Sequence, residues 1–84
     1  MAPTEVTLYT RAGCHLCDEA REAIDGLRAE GVALALREID IEEDARLRAE
    51  YAERIPVVEV AGEIVSELGA DLHALRSRLD TVAA

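Results

Sequence analysis

The chain has 84 residues, a formal net charge of −9 and arginine as its only basic side chain apart from two histidines; half of it is hydrophobic, with no Phe or Trp. That length points to one domain over residues 1–84, and the apolar content excludes disorder and leaves Leu, Ile, Val and Ala to build the core. The acidity argues against nucleic acid or membrane as partner; with no secretory leader and no apolar run longer than "VALAL" at 32–36, the expected location is the cytoplasm.

The first expected strand is "EVTLY", residues 5–9, where Val6 and Leu8 alternate with Glu5, Thr7 and Tyr9. "TRAG" breaks it, and Gly13 permits a tight backbone path. A helical pattern follows from Cys14 to Glu30, with Leu16, Ala20, Ala23, Ile24 and Leu27 spaced by three and four. Asp18 and Glu19 suit its positive N-terminal end, and Gly31 stops it.

The two cysteines, Cys14 and Cys17, lie where that strand passes into that helix. A reactive dithiol, a pair of metal ligands and two small packed residues are all open to a bare pair at this spacing. Helical geometry places the two Cα atoms near ~5 Å, inside the range of roughly 4.4–6.8 Å that a disulfide needs. Backbone N–H groups and the helix dipole at the first position stabilise a thiolate there. The second position lies one turn inside. The spacing therefore makes Cys14 the attacking sulfur and Cys17 the resolving one. A cytosolic pair at a strand–helix junction favours redox chemistry over an inert disulfide. A closed zinc site needs about four ligands, and beyond the cysteines only His15 and the distant His73, for which no role is expected, are available.

A second strand is expected in "VALALREIDI", residues 32–41, and Asp40 with Glu43 resembles a capping box opening a short helix through Leu47 and Tyr51. "IPVVEVAG" and "EIVS" read as a hairpin turning near Gly62. Asp71 is the expected N-cap of a last helix with Leu72, Leu75, Leu79 and Val82 on one face. The order is β-α-β-α-β-β-α, with a parallel first unit, and predicts an α/β fold: a four-stranded mixed sheet flanked by helices.

Tyr9-Thr10-Arg11, Cys14-His15-Leu16-Cys17 and Ile55-Pro56-Val57 together resemble the glutaredoxins, and more broadly small thioredoxin-like proteins, over about residues 5–80. The family's tetrad is usually Cys-Pro-Tyr-Cys, and the resemblance is nearest to short glutaredoxin-like proteins that depart from it. It implies a thioredoxin-like fold and a monomeric thiol–disulfide oxidoreductase serving electron transport. Its substrate would be a protein disulfide or a glutathione mixed disulfide, with no cofactor beyond the two cysteines. It also implies that Pro56 is cis and faces the cysteines, that the Ile55 backbone pairs with substrate, and that Arg11 and Asp71 help hold glutathione. His15 stands where proline is usual, and its imidazolium would favour the Cys14 thiolate. The family's glycine pair before the last helix is replaced by Glu67-Leu68, or by Gly69-Ala70 in a shifted alignment. Glu67 would then repel the carboxylates of glutathione, making it a weak co-substrate. Two alternatives are a dimer holding an iron–sulfur cluster through Cys14 and external thiols, and a redox-inert binding scaffold.

Overall fold

The computed structural model describes residues 3–83. Strand β1, Thr4–Thr10, lies inside the sheet, and its stretch from Val6 to Thr10 is buried on both faces. It pairs in parallel with β2, Leu34–Asp40, and antiparallel with β3, Val57–Val60. Strand β4, Glu63–Glu67, is antiparallel to β3, so the sheet order is β2-β1-β3-β4. This is the predicted four-stranded mixed sheet.

The strands' alternation sends successive side chains to opposite faces, and two clusters result. On one face, Val6, Leu8, Val58 and Val60 pack with Ala20, Ile24 and Leu27 of helix α1, His15–Ala29, and with Leu75 and Leu79 of helix α3, Leu72–Ala83. On the other face, Tyr9 and Val57 pack with Ile41 and Ile55, and Leu47 and Tyr51 of the short helix α2, Ala45–Tyr51, lean against them.

Three local expectations are corrected. The buried stripe of α1 is Cys17, Ala20, Ile24 and Leu27, whereas Leu16 is 48% exposed. At about 100° per residue, a stripe through Cys17 turns its neighbour Leu16 off the sheet. Asp40 does not open α2. Its carboxylate accepts from the Glu42 N–H at 2.9 Å and starts a 3-10 turn, Ile41–Glu43, which drives Ile41 fully into the core. Asp44 caps α2 instead, accepting from the N–H groups of Arg46 and Leu47. Finally, Val82 stands exposed on α3.

Asp71 does cap α3: its Oδ1 accepts from the Ala74 N–H at 3.0 Å, and its carbonyl accepts from the Leu75 N–H at 2.9 Å. Asp71→Ala should destabilise the protein by about 1 kcal/mol in urea unfolding. An unchanged midpoint would mean that solvent replaces the cap without loss.

Candidate active site

The site forms where β1 turns into α1. Gly13 takes φ 77°, a left-handed conformation that a β-carbon would strain. That bend lets Cys14 serve as the N-cap of α1, with its Sγ accepting from the Cys17 N–H at 3.1 Å. Cys14 and Cys17 are disulfide-bonded, with Cα atoms 5.2 Å apart, as helical spacing predicts. Cys17 is completely buried, while Cys14 is partly exposed at the surface. A second molecule can therefore approach this disulfide only from the Cys14 side.

Burial of Cys17 comes from the α2-side cluster, which also holds Ile55 and Val57 and is touched by Cys14, Tyr51 and Ala52. The Ile55–Pro56 bond is cis, and Pro56 is fully buried. The residues on either side of that proline thus share one cluster with the disulfide. The Ile55 N–H donates to the Tyr51 carbonyl at 3.0 Å.

The remaining predicted residues stand around this centre. Arg11 is exposed on the β1–α1 loop and pairs with Glu42 at 3.5 Å. His15 is exposed at the first position of α1. Asp71 is engaged as the α3 cap already described.

Sequence reasoning missed the layer behind the disulfide. Tyr9 and Tyr51, the chain's two aromatic residues, stack with ring centroids 4.4 Å apart, and the Arg54 guanidinium lies 5.1 Å from the Tyr51 centroid. The Tyr9 hydroxyl donates toward the Glu59 carboxylate at 3.4 Å. Burial, with the Glu59 charge second and Tyr51 third, pushes the Tyr9 phenol up to about 12. Arg54 also donates to Glu67 at 2.6 Å and to Glu50 at 2.7 Å, and its carbonyl accepts from the Leu68 N–H. The Arg54 hydrogen bond holds the Glu67 carboxyl below the usual carboxylate range. Glu67 is therefore not the free repelling charge that the sequence implies. Beside it, Leu68 takes φ 61° where the resemblance has a glycine.

Comparisons with known proteins agree with this geometry. Residues 5–80 match the family described as glutaredoxin-like domain (DUF836). Uncharacterized proteins of Mycobacterium tuberculosis and Mycobacterium bovis are 35% identical over 82 residues, covering 92% of this chain and 84% of theirs. An X-ray structure of a protein from X. campestris is 38% identical, with a TM-score of 0.72 and coverage of 90% of this chain and 96% of that one. A solution structure of a Nitrosomonas europaea protein has a TM-score of 0.80 over 93% of both chains; at 24% identity it speaks for the fold alone. The match takes in all of the sheet but Thr4, and the helix that Cys14 caps, and on that ground the chain belongs to the glutaredoxin-like (DUF836) family.

Proposed function

We propose that this protein is a thiol–disulfide oxidoreductase that reduces disulfides of other proteins through Cys14 and Cys17. The observation that carries the reading is the unequal burial of two bonded cysteines across a helix N-cap. In the reduced protein, the Cys14 thiolate attacks one sulfur of a substrate disulfide. A Cys14–substrate disulfide forms and the other substrate sulfur leaves as a thiolate. Cys17, after losing its proton, attacks the Cys14 sulfur, re-forms the Cys14–Cys17 bond and releases the second substrate thiol. Two electrons pass from the dithiol to the substrate, and no other cofactor is required. A reducing compartment such as the cytoplasm would regenerate the dithiol.

In this reading the Ile55 carbonyl beside Pro56 accepts an N–H from the substrate backbone, and His15, next to Cys14 in sequence and exposed, favours the attacking sulfur. Among the described residues, no three His, Cys, Asp or Glu side chains are grouped to hold a metal ion, so a cluster would need sulfurs from outside the chain. The test is to express Cys17→Ser, in which the mixed disulfide cannot be resolved, and to identify by mass spectrometry the proteins joined to Cys14. Discrete protein adducts support the reading. A brown protein with visible charge-transfer bands after anaerobic purification would point to the cluster instead.

Glutathione should serve poorly as reductant. The glycine pair that lets a backbone approach the tripeptide is absent, and Arg11 is already paired with Glu42. Loss of one charged or backbone hydrogen bond should lower glutathione-dependent turnover by roughly tenfold. Replacing Glu67 and Leu68 together by glycine should raise that turnover in a coupled glutathione reductase assay. Fast turnover of the unaltered protein, insensitive to the change, would make it an ordinary glutaredoxin.

A further inference from the structure

A shallow groove lies along α1, lined by Leu16, Glu19, Ala20, Ala23, Gly69 and Ala70. Leu16 lies between the two cysteines in sequence, so one lining residue of the groove belongs to the turn that carries the proposed exchange pair. Resting on the exchange reading above, we propose that this groove receives an extended apolar and basic segment, about three residues long, flanking the cysteine that Cys14 attacks in a partner protein.

Three observations point to that occupant. The first is reach. Leu16 to Ala23 is seven helical steps, roughly 10 Å of rise, and three extended residues span about the same distance. The second is two leucines held out of the core beside the site: Leu16 is 48% exposed, and Leu68, next to Gly69, is 60% exposed. Leu68 also takes φ 61°, a conformation that glycine adopts without strain. A large apolar residue held in solvent on a strained backbone is unfavourable for folding and useful to a partner. The third is charge. Glu19 is in no ion pair among the described residues, whereas its neighbour Asp18 is matched by Arg21 at 2.9 Å. No basic side chain lines the groove, and the chain carries a net charge of −9. An arginine or lysine on the incoming segment supplies the missing counter-charge; the anionic glutathione tripeptide does not.

The test is single-turnover exchange with pre-reduced protein. The probes are peptides whose one cysteine is joined to 2-nitro-5-thiobenzoate and flanked on both sides by Leu-Arg-Leu, Leu-Glu-Leu or Ser-Arg-Ser. Each rate is divided by that for 2-mercaptoethanol with the same peptide, which removes differences in intrinsic reactivity. The Leu-Arg-Leu peptide should react about fivefold faster than the Leu-Glu-Leu peptide at low salt, and the gap should close in molar salt. Glu19→Arg should reverse that order, while Glu22→Arg, an equal change of charge on the same helix outside the groove, should leave it standing. Leu68→Gly should lower the Leu-Arg-Leu rate relative to Ser-Arg-Ser and yet raise the urea midpoint. Equal rates for the peptides, or equal effects of the two glutamate changes, would overturn the groove assignment. The small disulfide 5,5′-dithiobis(2-nitrobenzoate) separates the two readings. If it does not react, the exchange function itself fails; if it reacts while the peptides show no preference, only the groove proposal fails.

Discussion

Cys14→Ser should lose disulfide exchange by at least about a thousandfold, because a hydroxyl at that position supplies no nucleophile near neutral pH. Cys17→Ser should behave differently. Its first step should proceed, releasing one substrate thiol per protein, and the reaction should then stop with the second thiol still bound to Cys14. The asymmetry follows from burial, since Cys17 has no exposed surface and Cys14 has some. Stopped-flow measurement with 5,5′-dithiobis(2-nitrobenzoate) reads both variants as release of the coloured thiol. A fast burst from Cys14→Ser would show that Cys17 is reachable and that the two roles are reversed.

Alkaline solution should destabilise the oxidised protein through one residue, Tyr9. The phenol is held at about 12 in the folded chain against 10 in the unfolded chain, by burial first and by Glu59 and Tyr51 after it. Above pH 10 the unfolded chain releases this proton while the folded chain keeps it, so unfolding is favoured as pH rises. The contribution is whole below pH 10 and gone once pH passes 12. A rise from 10 to about 12 corresponds to roughly 2–3 kcal/mol across that window. The chain has no lysine, and its cysteines are bonded, so few other groups titrate there. Urea unfolding at a series of pH values should therefore show a decline in the native protein that Tyr9→Phe largely removes. Parallel declines in the two proteins would place the alkaline sensitivity elsewhere.

Local sequence carries the geometry of the cysteine pair but not the surroundings of Tyr9. The Cys14–Cys17 pair was legible because spacing of three in a helix is a geometric statement: ~5 Å was expected and 5.2 Å is found. Strand and helix order was legible for the same reason, since alternation and three-four spacing survive folding. Capping was half legible. Asp71 had no rival near its helix, but Asp40 and Asp44 both precede plausible first turns, and burial of Ile41 decided between them. Leu16 was misplaced because a stripe drawn through apolar residues passes over the cysteine that actually anchors it.

The second layer of the site left no local trace. Tyr9 meets Tyr51 across 42 positions, and Arg54 meets Glu67 across 13. Those contacts exist only once β1, α2 and β4 have been brought together. Positive φ at Leu68 was equally invisible, because leucine carries no preference for it. The readable part of the site was thus its cysteine pair. Its electrostatic setting and its apolar rim came from tertiary structure.

Timed alkylation of the fully reduced wild-type protein distinguishes an attacking Cys14 and a resolving Cys17 from any other assignment. Iodoacetamide labelling at pH 7, quenched at intervals and mapped by peptide mass spectrometry, reads both cysteines in one intact site. Cys14 should be labelled at least about ten times faster than Cys17, which reacts only as fast as its helix opens. Equal labelling of the two, or Cys17 ahead of Cys14, would contradict that assignment.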